Sequence, residues 1–317
     1  MEKDIIMCDK EKKPKINVIL PTYNGEKYLR RQIESIINQT YPNIDIYIRD
    51  DKSTDNTVKE ILNLIEEYGK LRNIYLIKDD MGNLNVPKSF YQILRECRVA
   101  EYYALCDQDD EWLPNKVEWA VEMLEKENGE VPIVYCSRSA YYTATGQYLR
   151  SYTKQKIIDL NHTLFYTPAS GFTQIFNEQA RKQFLLSVNP GEEMHDRYLL
   201  RCAVCFGKLL YDERITALHI RHEEAVTNHD SSNRNLLVNF ILNEIMGDNQ
   251  KEIKKNLEYF YEIFETKMDI NQKKILKLFI SPCNLKNQIQ KFFYPHRLRS
   301  SIQGEFALRI LFMLGNI

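Results

Sequence analysis

The chain reads as an α/β protein on a mostly parallel sheet with helices on both faces, and three observations predict it. Between residues 16 and 124, short apolar runs alternate with stretches of helical periodicity. The runs, such as Tyr102-Tyr103-Ala104-Leu105-Cys106, are apolar almost throughout, as in strands covered on both faces. Clusters of turn-forming polar residues follow the first, second and fourth runs: Pro21 to Gly25, Asp50 to Asp55 and Asp107 to Asp110. Such sheets bind ligands beyond the carboxyl ends of their strands, so residues distant in sequence are expected to line one crevice.

Taken in order, Ile16 to Leu20 is a strand stopped by Pro21-Thr22-Tyr23-Asn24-Gly25. Leu29, Ile33, Ile36 and Ile37 then form one helical stripe, ended by Tyr41-Pro42-Asn43. A second strand, Ile44 to Ile48, leads to Arg49-Asp50-Asp51-Lys52-Ser53-Thr54-Asp55. Thr57-Val58-Lys59-Glu60 has capping-box spacing and opens a helix carrying Ile61, Leu62 and Ile65. Strand Ile74 to Ile77, helix Ser89 to Cys97, strand Tyr102 to Cys106 and helix Leu113 to Leu124 follow. Beyond about Asp230 the pattern becomes helical, with Leu236, Phe240, Ile241 and Ile245, then Leu257, Phe260, Ile263 and Phe264. The expected division is a charged segment at 1–15, an α/β domain at 16–230 and a helical region with a basic amphipathic tail at 231–317.

Of 317 residues, 44% are hydrophobic, enough for one large domain and an appendage. A net charge of −1 creates no general attraction to nucleic acid. The first residues lack the apolar stretch of a secretory signal, and no run of about 18 apolar residues occurs, so a cytoplasmic protein is expected. Seven scattered cysteines read as reduced core thiols; Cys202-Ala-Val-Cys205 has redox or zinc spacing but lies in a helical stretch without a second pair. There is no Gly-x-Gly, no P-loop signature and no Gly-x-Ser-x-Gly, which argues against hydride transfer, P-loop hydrolysis and the usual serine hydrolase elbow. Asp107, Asp109 and Asp110 crowd the lip of a strand, where like charges repel unless a cation sits between them. That pattern suits a hard divalent metal with oxygen ligands; its plain alternative is a solvated acidic turn capping the next helix.

With Asn17-Val18-Ile19-Leu20-Pro21-Thr22-Tyr23-Asn24-Gly25, Arg49-Asp50-Asp51-Lys52-Ser53-Thr54-Asp55-Asn56-Thr57 and Asp107-Gln108-Asp109-Asp110-Glu111-Trp112 in this order, the chain resembles family 2 glycosyltransferases over roughly residues 15–230. It looks most like bacterial rhamnosyltransferase-type members that build surface polysaccharides. The resemblance implies the GT-A fold, a nucleotide-sugar-binding and catalytic domain at 16–230, and a base pocket lined by Pro21, Thr22 and Tyr23. Asp51 would accept a hydrogen bond from the pyrimidine ring, Asp50 supporting the loop instead. Asp107 would contact ribose or sugar, and Asp109 would bind Mn2+ or Mg2+ bridging two phosphates. Lys88 matches a position often basic near the nucleotide, although a solvent-facing lysine at a helix start fits as well. Asp196 falls where the family has its catalytic base, against a helix-capping alternative, with His195 a nearby polar contact. Thr167 to Thr173 matches a segment that runs beside the donor sugar. His219-Ile220-Arg221-His222 stands where many relatives carry Tyr-Arg-Gln-His. His222 would touch the metal or diphosphate and Arg221 offset phosphate charge, a surface histidine being the alternative.

The implied activity is inverting transfer of rhamnose, galactose or a similar sugar from a UDP- or dTDP-sugar. The acceptor would be a hydroxyl of a glycan or an undecaprenyl-linked oligosaccharide. Its rival is a non-catalytic sugar-nucleotide or glycan-binding module on the same scaffold. A nucleotidyltransferase would display a basic glycine-rich first loop, which Pro21 to Gly25 does not supply. From Lys273 to Ile317, eight Lys/Arg stand against the single acid Glu305, interleaved with aromatic and aliphatic residues. Such a tail suits peripheral contact with an anionic membrane; equally it reads as a helical hairpin packed on the core or on the second copy of a homodimer.

Overall fold

A computed structural model describes residues 13–143, 145–151, 158–186, 193–221 and 249–315. Strands β1 (Ile16–Thr22), β2 (Ile44–Asp50), β3 (Asn73–Ile77) and β4 (Tyr102–Leu105) form a parallel half-sheet in the order β3-β2-β1-β4. Between them run α1 (Leu29–Ile37), α2 (Thr57–Tyr68) and α3 (Lys88–Glu96). Successive side chains of β1 serve opposite layers, as the strand period requires. Val18 and Leu20 join Leu29, Ile33 and Ile36 of α1, whereas Ile19 joins Phe90 and Ile93 of α3. Helices therefore cover both faces, with the parallel strands pointing their carboxyl ends along one edge.

The second half departs from a parallel reading. Strand β5 (Asp110–Trp112) interrupts what the sequence presents as a turn and helix start, so α4 begins at Lys116 and ends at Leu124. Asp110-Glu111-Trp112 pairs antiparallel with β9 (Lys208–Arg221), opposite His219, Leu218 and Ala217. A partner a hundred residues away overrides the local pattern. Strands β6 (Ile133–Thr143), β7 (Tyr148–Ser151) and β8 (Ile175–Asn177) complete the sheet: β8 bridges β4 and β6 antiparallel, β7 adds to β6, and β9 runs parallel to β6. The sheet is thus mixed. The expected capping box of α2 is absent as well, for Asp55 rather than a Thr57–Glu60 pair takes the Thr57 amide, at 3.0 Å.

Helices α5 (Glu178–Leu185) and α6 (His195–Phe206) pack on the α3 side of the sheet, joined by α7 (Asn249–Phe264), α8 (Ile270–Ile280), α9 (Leu285–Phe292) and α10 (Ile302–Leu314). Phe260 stacks on Phe206, and Phe165 meets Phe279 and Phe312 edge-on, so the C-terminal helices share a core with the sheet. The expected helical positions Leu236 to Ile245 lie outside the described residues. Cys202 is buried in α6 and Cys205 half-buried; both are free thiols. Among the described residues no helix is long and apolar enough to cross a membrane.

Candidate active site

The edge at the ends of β1, β2 and β4 is assembled by loop-to-loop hydrogen bonds. Gln108, the middle residue of the acidic motif, accepts from the Tyr23 amide and donates to the Tyr23 carbonyl, both at 2.9 Å. This two-way clamp needs Gly25, because a Cβ there would stand 2.3 Å from the Gln108 side-chain oxygen. Pro21 and Thr22 are buried beneath it, while Tyr23 projects 47% exposed. Asp50 accepts from Thr22 at 3.2 Å, from the Ser53 amide at 2.9 Å and from its hydroxyl at 2.6 Å, so this carboxylate braces the loop.

Its neighbour Asp51 is buried and accepts the amides of Leu84 and Asn85, each at 2.7 Å, together with the Arg49 guanidinium. A carboxylate offers about four lone-pair sites; three are filled by protein. Arg49, itself 1% exposed, grips Asp79 through two bonds at 2.7 and 3.1 Å and also donates to the Gly82 carbonyl and the Ser89 hydroxyl. It holds Asp79 below the usual carboxylate range and ties loop 79–85 to the strand end. Lys88, first residue of α3, is exposed. The next two residues face inward: Ser89 meets Arg49, and the Phe90 ring stacks on His195 with centroids 3.9 Å apart.

On the other flank, Asp107 is half-buried, and its acid is pushed well above the usual range by burial and then by the charges of Asp110, Asp109 and Asp196. Gln174 ties the start of α6 to this strand end: its side-chain amide donates to the Asp196 carbonyl at 3.2 Å and its own carbonyl accepts the Leu105 amide at 3.2 Å. Asp196 is half-buried in the first turn of α6; one of its oxygens accepts the Arg197 amide at 2.7 Å. Gly171 lets the Thr167–Thr173 segment close on it, since a Cβ there would approach His195 Nε2 to 2.9 Å and Asp196 Cβ to 3.3 Å. His195 is buried, and its Nδ1 has no hydrogen-bond partner among the described residues. Asp110, by contrast, points away from a ligand-binding role: it is wholly buried and 2.6 Å from His219 Nδ1, the imidazole lying against Phe172. Burial raises its acid to about 6 despite the histidine.

Among the described residues no three His, Cys, Asp or Glu side chains gather as a metal site. Asp107 and Asp109 are two carboxylates whose oxygens could contribute to holding a hard cation, and like-charge crowding there is what a dication would relieve. Mg2+-type ions are often held by one or two carboxylates plus water and substrate phosphate. His222 lies outside the described residues, so His219 is the histidine of that segment with a described position. Arg49, Gln108 and His219 stand within the quoted motifs, yet their roles escape a reading by motif, for their partners Asp79, Tyr23 and Asp110 lie 30, 85 and 109 positions away.

Comparisons with known proteins agree with this architecture. The family model described as Glycosyl transferase family 2 matches residues 17–187. The dTDP-rhamnosyl transferase RfbG of Shigella flexneri is 29% identical over 217 residues, 64% of this chain and 72% of that protein. Among solved structures, S. aureus TarS 1-349 in complex with UDP-GlcNAc superposes with a TM-score of 0.57 at 16% identity, covering 95% of this chain and 92% of that one. A mannosyltransferase from Pyrobaculum calidifontis in complex with GDP-Man and Mn2+ gives 0.52 at 12% identity, covering 96% and 88%. Those likenesses show the GT-A fold. With three loops converging on one carboxyl edge and a family model spanning more than half its length, the chain belongs to glycosyl transferase family 2.

Proposed function

We propose that this protein is an inverting glycosyltransferase that moves a sugar from a pyrimidine nucleotide diphosphate, UDP or dTDP, to a hydroxyl of a glycan or lipid-linked acceptor in bacterial surface-polysaccharide synthesis. The observation that carries the reading is the gathering of these segments at one sheet edge: Gln108 of the acidic loop clamps Tyr23, and Gln174, whose carbonyl accepts the Leu105 amide of β4 at 3.2 Å, donates its side-chain amide to the Asp196 carbonyl at 3.2 Å. It sets a proton acceptor against the acids that would hold the donor's diphosphate. The S. flexneri relative, named for dTDP-rhamnosyl transfer, supports a deoxythymidine donor.

On this reading the base stacks by Tyr23, and the remaining lone-pair site of Asp51 takes its ring N–H. A cation held by Asp109, with Asp107 beside it and His222 as a further ligand, would supply charge neutralisation for the diphosphate. Asp196 accepts the acceptor hydroxyl's proton on the oxygen not bonded to Arg197. The hydroxyl oxygen then forms the new bond to the anomeric carbon as the bond from that carbon to phosphate breaks, its electron pair leaving on the diphosphate. A single displacement inverts the configuration and needs no protein nucleophile.

General-base assistance contributes about 10²- to 10⁴-fold. Asp196→Asn is therefore expected to lose most turnover while binding donor nucleotide normally, and Asp109→Asn to lose Mn2+-enhanced nucleotide binding. Calorimetry with UDP and dTDP with and without Mn2+, beside a transfer assay, separates the two effects. An Asp196→Asn protein with undiminished turnover overturns the assignment.

A further inference from the structure

Helix α9 is built inside out. Its outward stripe is Leu285, Ile289 and Phe293, with Leu285 69% and Phe293 73% exposed, whereas Asn287, Gln288 and Lys291 turn toward the protein and Lys291 is 1% exposed. A surface helix ordinarily does the reverse. Adjacent α10 buries Leu308, Leu311 and Phe312 but leaves Ile302 at 76% and Phe306 at 65% exposed, with Met313 following on. The two helices are fastened together. Arg309 of α10 donates to the carbonyls of Lys291, Phe292 and Tyr294 at 2.7–3.1 Å, and Gly315 sits so close to Cys283 that a Cβ would meet its Sγ at 2.6 Å.

We propose that this paired face of α9 and α10 docks on the surface of an anionic phospholipid bilayer. Charge names the occupant. Residues 273–317 hold eight Lys/Arg, of which Lys291 and Arg309 are turned inward, and one acid, Glu305. That acid is turned inward, accepting the Leu298 and Arg299 amides at 2.7 and 2.8 Å and pairing with Arg309 at 2.6 Å. Exposed Lys286 and Arg297 flank the apolar stripe, with no acid of the stretch to offset them. Large apolar side chains inserted at the headgroup boundary beside cations attracted to anionic lipid are the two components of interfacial binding. A second copy fits worse, because a two-fold interface would set the same positive surface against itself.

Sedimentation of the full chain with phosphatidylglycerol vesicles, against phosphatidylcholine vesicles, tests this. Expected are binding to phosphatidylglycerol that weakens with salt, and little binding to phosphatidylcholine. Phe293→Ser/Phe306→Ser should lower vesicle affinity roughly tenfold or more, and Lys286→Glu/Arg297→Glu should abolish the preference for anionic lipid. Both variants should keep the wild-type melting temperature and nucleotide binding, since the altered side chains are exposed. Three results overturn the proposal: no sedimentation with phosphatidylglycerol, a dimer in ultracentrifugation that the serine variant dissolves in the absence of lipid binding, or a serine variant that melts several degrees lower.

Discussion

Lys116 is the least expected side chain of the molecule: a wholly buried amine with its Nζ 4.9 Å over the Trp112 ring and no hydrogen-bond acceptor among the described residues. Burial draws its ammonium down to about 7. Between that value and the ordinary lysine range, the folded protein holds a neutral amine while the unfolded chain still binds the proton. Raising the pH through this window therefore favours the folded state, by up to about 1.4 kcal/mol per unit. Below about 7 the buried amine is charged and the penalty is fully present. Lys116→Met should be more stable than wild type at pH 6, and its stability should climb less between pH 7 and 10. Urea titrations at several pH values check both; parallel slopes for the two proteins would clear Lys116 of the effect.

Among the connecting elements, the loop after β1 is where a single methyl group should matter. In Gly25→Ala the new Cβ collides only with the end of the Gln108 side chain, which can swing aside, so the fold survives and the clamp on Tyr23 opens. Two hydrogen bonds at about 1 kcal/mol each are lost. The donor KM should rise roughly tenfold with kcat little changed, and steady-state kinetics would show it; a fall in kcat alone would contradict the loop's binding role. The same elements show what a sequence discloses. Strands β1 to β4 are legible because runs such as Ile44-Asp45-Ile46-Tyr47-Ile48 fit little else. The three-residue β5 has no period to detect, and only its pairing with β9 makes Asp110-Glu111-Trp112 a strand. Asp51, Asp107 and Asp196 stand out in motifs. The Leu84 and Asn85 amides that hold Asp51 do not, since any residue carries an amide.

Seen as a whole, the molecule uses its C-terminal helices as part of its core. Leu298, Leu308, Leu311 and Phe312 are all but inaccessible and join the cluster containing Phe165 and Tyr198. Full burial of such side chains stabilises by about 1.5–3 kcal/mol each. Removing residues 281–317 thus forfeits roughly 6–12 kcal/mol, comparable with the entire stability of an ordinary domain. The truncated chain is expected to be insoluble or to lack a cooperative melting transition by circular dichroism; a sharp transition within a few degrees of the intact protein would show the helices to be dispensable. At this scale the basic tail, which the sequence reads equally as a membrane-contacting segment or as a hairpin packed on the core, shares the core of the α/β unit. One last consequence belongs to α3, whose first turn touches Arg49 through Ser89 and His195 through Phe90. Ser89 and Phe90 are consecutive, so one helical turn links the side chain that holds Asp51 to the imidazole next to Asp196; under the proposed roles of those two acids, a substitution that rotates this turn should weaken nucleotide binding and turnover together.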